Sequence, residues 1–170
     1  QTMRDMDELR VSGIASDLEN YAKGGGNIFG ICGGMQMMGS ILEDPMGLEG
    51  GVKEKQILGL GLLPLKTIFE KEKTLIKRTV LSDWPLETEL IGFELHHGRT
   101  NVIKGKEDSL NEMTKESGLG WYLSLKESDN IAGTYLHGVF DNGPWRRQWL
   151  NNIRHRKGLD NLTLNVQNHL

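Results

Sequence analysis

The chain has 170 residues, a formal net charge of −3 and a single cysteine, with 37% hydrophobic and 25% charged residues. This length suits one domain with a real core, and the slightly acidic balance argues against nucleic acid or an anionic membrane surface as a partner. One cysteine excludes an intramolecular disulfide and a multi-cysteine zinc site. The chain shows no signal-peptide pattern and no apolar run long enough to span a membrane, so we expect a cytoplasmic protein.

The first quarter of the chain predicts helix, buried strand and helix in that order. Helically spaced apolar residues precede the glycine triplet 24–26, which is typical of a helix end, and Ser12 would cap the second half of that helix. The apolar run 27–31 predicts a buried strand. The next helix is predicted from four apolar residues on one face: Met35, Met38, Ile41 and Leu42. This order indicates an α/β domain with a parallel sheet.

The rest of the chain predicts short strands and then a final helix. Strand candidates are 58–65, 74–81, 90–95, 119–125 and 131–136. Residues 127–130 are typical of a hairpin connection, and the polar segment 104–117 predicts a surface loop. The final helix begins at Pro144, a favoured first helical residue, and Gly158 ends it. Its apolar stripe consists of Trp145, Trp149, Leu150 and Ile153.

A cysteine lies in a glycine-rich turn directly after the predicted strand 27–31. The sequence Gly30-Ile31-Cys32-Gly33-Gly34 has the form Gly-x-nucleophile-x-Gly, with Cys in place of Ser. A nucleophile on such a turn has a strained backbone, and glycines remove side chains that would collide there. The turn also places Cys32 at a helix N-terminus, which favours a thiolate. A small buried cysteine is the alternative, and these five residues alone do not decide between the two.

A thiol nucleophile needs a base, and the chain has five histidines. His155 lies in the last turn of the final helix, where a cation suits the helix dipole, and His169 lies in a tail expected to fray. The remaining candidates are His96, His97 and His137. Of these, His137 follows a predicted strand at the sheet edge where α/β enzymes place catalytic groups, although a structural histidine is the alternative. No spacing among the histidines and the cysteine matches a known zinc pattern, so we expect no metal.

The cysteine turn belongs to a longer pattern, GICGGMQMMG (30–39), that resembles the nucleophile elbow of class I (triad-type) glutamine amidotransferases. Four further blocks narrow the resemblance to the glutaminase domain of the cobyric acid synthases of cobalamin biosynthesis: EDPMGLEG (43–50), GLGLL (59–63), GFELHHGRT (92–100) and GTYLHGVFDN (133–142). Their order and spacing match from about Met3 to about Leu159. The resemblance implies a flavodoxin-like class I glutaminase fold, with a mostly parallel sheet flanked by helices and an added antiparallel portion.

The same resemblance implies roles for individual residues. Cys32 would attack the glutamine carboxamide to give a γ-glutamyl thioester and ammonia, His137 would act as base and then acid, and the Gly33 N–H would bind the oxyanion. Gln36 would help to hold glutamine, although a solvated helix position is the alternative. The turn His96-His97-Gly98 would bind the α-amino and α-carboxylate groups through its backbone.

The sequence departs from the family pattern at two places. Val139 stands where most class I glutaminases have a Glu that orients the histidine. This departure is shared with the cobyric acid synthase branch and leaves Glu94 as a candidate for that role. The resemblance also implies that strands and a Pro-Gly turn, which supplies a second oxyanion donor, precede the first helix. We therefore expect a glutaminase domain over 1–159 that lacks its first strands, followed by a tail over 160–170.

The predicted function is the glutaminase half of a cobyric acid synthase, which supplies ammonia for ATP-dependent amidation of adenosylcobyrinic acid a,c-diamide. We expect no cofactor in this domain, because the chain lacks a P-loop motif; ATP and Mg²⁺ would belong to an N-terminal P-loop synthase domain. One alternative is an amidotransferase that partners a peptidoglycan-precursor ligase, against which block 43–50 argues. Another is a catalytically incompetent fragment that acts only in docking.

Overall fold

The computed structural model of the protein describes residues 1–49, 51–123 and 130–169. In chain order its helices and strands are α1 (Thr2–Val11), α2 (Ile14–Lys23), β1 (Ile28–Ile31), α3 (Gly33–Met38), β2 (Ile41–Asp44), β3 (Lys55–Leu58), β4 (Leu65–Ser82), β5 (Thr88–Val102), β6 (Leu110–Glu112), β7 (Gly120–Leu123), β8 (Ile131–Thr134), β9 (Leu136–His137) and α4 (Gly143–Arg156). Short 3-10 helices cover Glu107–Ser109 and Val139–Asp141. No helix in the described ranges is long and apolar enough to cross a membrane.

The described strands form two sheets. The first has the order β1-β8-β7-β6 and the second the order β3-β2-β4-β5-β9. The expected mixed α/β class with flanking helices is confirmed. The antiparallel portion is larger than expected, since β1/β8 and β2/β4 are the parallel pairs among the described strands and the other pairs are antiparallel. Much of this difference comes from β4 and β5, which are consecutive in the chain and pair antiparallel along most of their length. A short connection is enough to join two antiparallel strands.

The chain passes from the first sheet to the second at Tyr135, which separates β8 from β9. The Tyr135 side chain is buried, and the N–H of this residue donates to the Leu119 carbonyl. Beyond it, β9 pairs with β5 so that His137 lies opposite Phe93. This pairing requires Gly92, because a Cβ there would lie 2.3 Å from the His137 carbonyl oxygen. The two ends of this short connection therefore belong to different sheets.

Aromatic packing holds α4 against the first sheet. Trp145 is fully buried and meets the rings of Phe29 and Phe140 edge-on. Its indole Nε1–H donates to the Trp84 carbonyl oxygen at 2.9 Å. The predicted helix and its end at Gly158, with φ +69°, are confirmed. The predicted stripe is wrong at Leu150, which is 40% exposed because it lies on the outer side of α4.

The segment after α4 has no regular structure, but it lies against that helix. Asn151, buried within α4, exchanges two hydrogen bonds of 2.8 and 2.9 Å with the backbone of Leu162. Further along, Asn168 accepts from the Gly143 N–H at 2.8 Å, and the His169 N–H donates to the Asp141 carbonyl at 2.9 Å. The expectation of a frayed tail around His169 is therefore wrong, because polar groups of α4 and its N-terminus provide partners for the segment. Leu170 lies outside the described residues.

Two predictions in the first third of the chain are wrong at single positions. Ile41 and Leu42 lie in β2 and not in the preceding helix, because α3 ends at Gly39, whose backbone is extended. Ser12 does not cap α2; its hydroxyl donates to the Leu9 carbonyl, and Gly13 with φ +84° takes the N-cap position. The strand and the helix end at 24–26 are confirmed, but the burial is only partial, because Gly30 alone among the β1 residues is buried.

Two predictions in the middle of the chain also fail. The predicted strand 58–65 is wrong, because β3 ends at its first residue and 59–64 crosses close to α3: a Cβ on Gly59 would lie 2.1 Å from the Gly39 carbonyl oxygen. The predicted loop 104–117 contains β6 and the buried Met113. Strands β7 and β8 pair antiparallel as a hairpin requires. The end of the predicted strand 119–125, at 124–125, lies outside the described residues. The same holds for 127–129 of the predicted hairpin connection.

Candidate active site

The cysteine turn has the strained geometry that its sequence predicts. Cys32 lies between β1 and α3 with φ 52° and ψ −115°, a conformation that costs a non-glycine residue about 1–3 kcal/mol. Gly30 is required for close packing, since a Cβ there would lie 2.6 Å from the Met35 backbone nitrogen. Gly34 has open space around it, so the motif's second glycine has no such steric reason.

The Cys32 thiol is half-buried and donates to the Leu95 carbonyl oxygen, with Sγ and O 3.1 Å apart. Burial raises the pKa of the thiol above its ordinary value, and the hydrogen bond from the Gly33 N–H offsets this only in part. The prediction that the turn favours a thiolate is therefore wrong. Desolvation of the thiol outweighs the backbone donor at the start of the six-residue helix α3, so the protonated thiol is favoured.

His137 reaches the same carbonyl from the second sheet. Its Nε2 lies 3.2 Å from the Leu95 oxygen. Cys32 follows β1 of the first sheet, so the two side chains converge from different sheets onto one backbone acceptor. Among the described residues, no hydrogen bond joins thiol and imidazole directly. The structure thus brings the sequence-predicted nucleophile and base together around Leu95, a residue that sequence reasoning missed.

Gln36 is buried on α3 and faces the same region. Its Nε2 donates to the His97 carbonyl oxygen at 3.0 Å and to the Tyr135 hydroxyl at 3.1 Å. Within the described ranges, its Oε1 has only a long contact of 3.4 Å with the Thr2 hydroxyl. The alternative of a solvated helix position is therefore wrong, because only 3% of the residue is exposed.

Cys32, Leu95 and Gln36 border a cleft of about 480 Å³, whereas His137 is not among its lining residues. Its walls include five of the sequence-predicted site residues: Cys32, Gly33, Gln36, His96 and His97. Charges of both signs also border it, from Asp5, Glu49 and Lys73. Clefts of about 300–1,000 Å³ are typical of small-molecule sites, and the mixed charge suits a zwitterion. Gly98 does not line the cleft; it is buried with φ +86° and presents its carbonyl to His96.

Residues 1–145 match the family of CobB/CobQ-like glutamine amidotransferase domains. The chain belongs to this family. It is 46% identical to a cobyric acid synthase of Prochlorococcus marinus (strain MIT 9313) over 99% of this chain and 34% of that protein. It is 49% identical to one of Parasynechococcus marenigrum (strain WH8102) and 47% to one of Synechococcus sp. (strain CC9605), each over 99% of this chain and 33% of the relative.

The predicted family is thereby confirmed, and the chain spans about a third of the length of the curated relatives it matches. Membership identifies the cysteine turn as part of a glutamine amidotransferase domain. Within this domain, the residues from 1 to 49, 51 to 123 and 130 to 169 contain no cluster of three or more His, Cys, Asp or Glu side chains suited to a metal ion.

Glu94, which the sequence offers as the group that orients His137, has other partners. Its Oε1 lies 2.9 Å from His96 Nε2, and its Oε2 accepts from Arg78 Nε at 2.7 Å. Burial alone would raise the pKa of Glu94, but these hydrogen bonds hold it below its ordinary value. Because both carboxylate oxygens are engaged away from His137, the partner that the structure gives His137 is the Leu95 carbonyl.

Sequence reasoning missed three contributors to this site: Arg78, Leu95 and Tyr135. The Leu95 contribution is a backbone carbonyl, for which a side-chain motif carries no signal. Tyr135 lies in the block 133–142, two residues before His137. Because residues two apart in a strand lie on the same face, this spacing could have indicated that Tyr135 lies near the site. Arg78 carried no local signal, because its contact with Glu94 depends on the register of the β4–β5 hairpin.

Proposed function

We propose that this chain is the glutaminase domain of a cobyric acid synthase and that it hydrolyses glutamine through a thioester on Cys32. The observation that carries the proposal is the convergence of a strained cysteine and a histidine on one carbonyl beside a cleft of amino-acid size. Family membership and the cobyric acid synthase relatives support it.

The chemistry assigned to Cys32 and His137 begins with a proton transfer between them. His137 takes the thiol proton of Cys32, and Sγ attacks the carboxamide carbon of glutamine. The N–H of Gly33, which already faces Sγ, would bind the oxyanion of the tetrahedral intermediate. The imidazolium then protonates the departing ammonia, and water hydrolyses the thioester to glutamate. Because burial disfavours the free thiolate, proton transfer and attack should be coupled to substrate binding.

We assign substrate binding to Gln36 and to the turn formed by His96, His97 and Gly98. Both hydrogen bonds of the Gln36 amide nitrogen are made within the protein, so its Oε1 is the atom left for substrate. An amide oxygen only accepts, and it would therefore hold an N–H of glutamine, such as the α-ammonium. The His97 backbone, which borders the cleft, would contact the α-carboxylate end.

In the longer protein, ammonia from this domain would amidate carboxylates of adenosylcobyrinic acid a,c-diamide. ATP and Mg²⁺ would act in an N-terminal P-loop synthase domain, in keeping with the relatives being about three times as long as this chain. We also propose the cytoplasm as the compartment, because the single cysteine is kept as a free thiol.

The test is ammonia release from glutamine by Cys32→Ser and His137→Asn variants. Each should lose activity by at least about 10³-fold, because neither hydroxyl nor amide can replace the thiol–imidazole chemistry. His155→Asn, which changes an exposed histidine of α4, is the matched control and should retain full activity. Activity of His137→Asn within a few-fold of the unchanged protein would remove His137 from the proposed mechanism.

A further inference from the structure

In the wall of the cleft, His96 has both ring nitrogens opposite hydrogen-bond acceptors. Its Nε2 lies 2.9 Å from a Glu94 carboxylate oxygen, and its Nδ1 lies 3.0 Å from the Gly98 carbonyl oxygen. Neither an ionised carboxylate nor a carbonyl can donate, so both contacts are hydrogen bonds only when both nitrogens carry hydrogen. Both ring nitrogens of His96 are thus engaged within the protein, one by Glu94 and one by Gly98.

The carboxylate that holds His96 also holds Arg78. Arg78 donates to Glu94 Oε2 through Nε at 2.7 Å and through Nη2 at 2.5 Å. The same guanidinium lies 3.6 Å from Glu116, through its Nη1. The Glu94 side chain is 11% exposed, whereas the Glu116 side chain is 51% exposed. Glu94 is therefore the buried centre of this group, with His96 on one carboxylate oxygen and Arg78 on the other.

His96 connects Glu94 and Arg78 to Gln36, the residue of the cleft wall to which we assign substrate binding. Its ring stacks on Tyr135, with centroids 3.8 Å apart and an angle of 22° between the planes. The Tyr135 hydroxyl accepts from Gln36 Nε2, which also donates to the His97 carbonyl. Since both ring nitrogens of His96 are used within the protein, its imidazole has no donor left for a ligand.

We propose that Glu94 is a positioning residue for glutamine: by holding His96, it fixes the turn 96–98 and the Tyr135–Gln36 pair at the cleft. His96 then acts as part of the support and not through ring contacts with substrate. The inference rests on the proposed function for the identity of the ligand. In the part of the chain that the structure describes, the Glu94 carboxylate bonds Arg78 and His96 and makes no hydrogen bond to Cys32 or His137, so its loss should weaken glutamine binding and leave the reactivity of the thiol unchanged.

The first experiment compares Glu94→Gln with the unchanged protein in steady-state ammonia release. We expect the KM for glutamine to rise about tenfold, with kcat within about threefold, because uniform binding is lost and transition-state chemistry is kept. Alkylation of Cys32 by iodoacetamide, which needs no substrate site, should proceed at an unchanged rate. The matched control is Glu116→Gln, which removes the exposed carboxylate of the same Arg78 and should leave KM unchanged.

His96→Phe is the second variant, because it keeps a ring against Tyr135 and removes both ring nitrogens. It should raise KM as Glu94→Gln does, and the double variant should be no worse than either single one, since both act through one contact. An unchanged KM in Glu94→Gln, or equal falls in kcat and alkylation rate, would overturn the proposal.

A calorimetric titration of glutamine into Cys32→Ala, with and without Glu94→Gln, separates this inference from the proposed function. A tenfold weaker Kd in the double variant supports the positioning role whether or not the unchanged protein releases ammonia. Absence of ammonia release from the unchanged protein would contradict the proposed hydrolysis alone. Equal Kd values in the two backgrounds, or no glutamine binding to Cys32→Ala, would contradict the positioning role.

Discussion

Replacement of Gly98 by alanine tests the turn beneath the cleft. Gly98 has φ +86°, and a Cβ there would lie 2.5 Å from the Ile68 carbonyl oxygen and 3.0 Å from Phe69 Cα. The left-handed backbone costs an alanine roughly 1–2 kcal/mol. Relief of a contact with rigid backbone adds roughly 1–3 kcal/mol. We therefore expect Gly98→Ala to lower the free energy of unfolding by roughly 2–5 kcal/mol.

Gly105→Ala is the matched control, because Gly105 has φ +83° with nothing within 4 Å of its Cβ position. It should lose only the roughly 1–2 kcal/mol of the backbone term. Urea unfolding followed by far-ultraviolet circular dichroism measures both losses, and their difference isolates the contact with Ile68. Equal losses in the two variants would refute the argument that Gly98 is needed for close approach between β4 and β5.

Three further predictions concern single side chains. Because burial raises the pKa of the Cys32 thiol, its alkylation by iodoacetamide should increase with pH through a midpoint above about 8.5, the value for free cysteine; a lower midpoint would contradict this. Despite burial, hydrogen bonds from His96 and Arg78 lower the pKa of Glu94, so its stabilising effect is present above the unfolded pKa of about 4.3 and disappears as pH falls through the folded value. The free energy of unfolding of Glu94→Gln should therefore fall less steeply in acid, and parallel curves would argue against this ion pair. Trp145→Ala should lose roughly 3–5 kcal/mol in urea unfolding, against a smaller loss for the partly exposed Trp149→Ala.

The cysteine turn could be predicted from sequence because its determinants are local. A strand, a close-packed Gly30 and a cysteine at the start of a helix lie within a few residues, and each leaves its own signal. The family resemblance likewise paired Cys32 with His137, which a histidine's position alone could not do. The local backbone signals and the order of the motifs were thus enough to predict that Cys32 and His137 lie together.

The surroundings of that centre depend on contacts that no local pattern encodes. The contact between Arg78 and Glu94 exists because β4 and β5 pair with Ile76 opposite Glu94, beyond an irregularity between Ile68 and Lys73. A shift of one residue in this register would move Arg78 to the other face of the hairpin. The helix predicted through Ile41 failed for a similar reason, since apolar spacing fits helix and strand alike until Gly39 ends the helix.

Cys32 follows a strand of one sheet and His137 belongs to the other, so the distance between the two side chains depends on how the sheets pack together. Cys32 follows β1, and His137 reaches it only because the chain changes sheets at Tyr135. Heat or denaturant that loosens the packing between the two sheets would separate Cys32 from His137 while the strands of each sheet stay paired. Inactivation should accordingly precede the loss of secondary structure, as local opening needs less free energy than global unfolding.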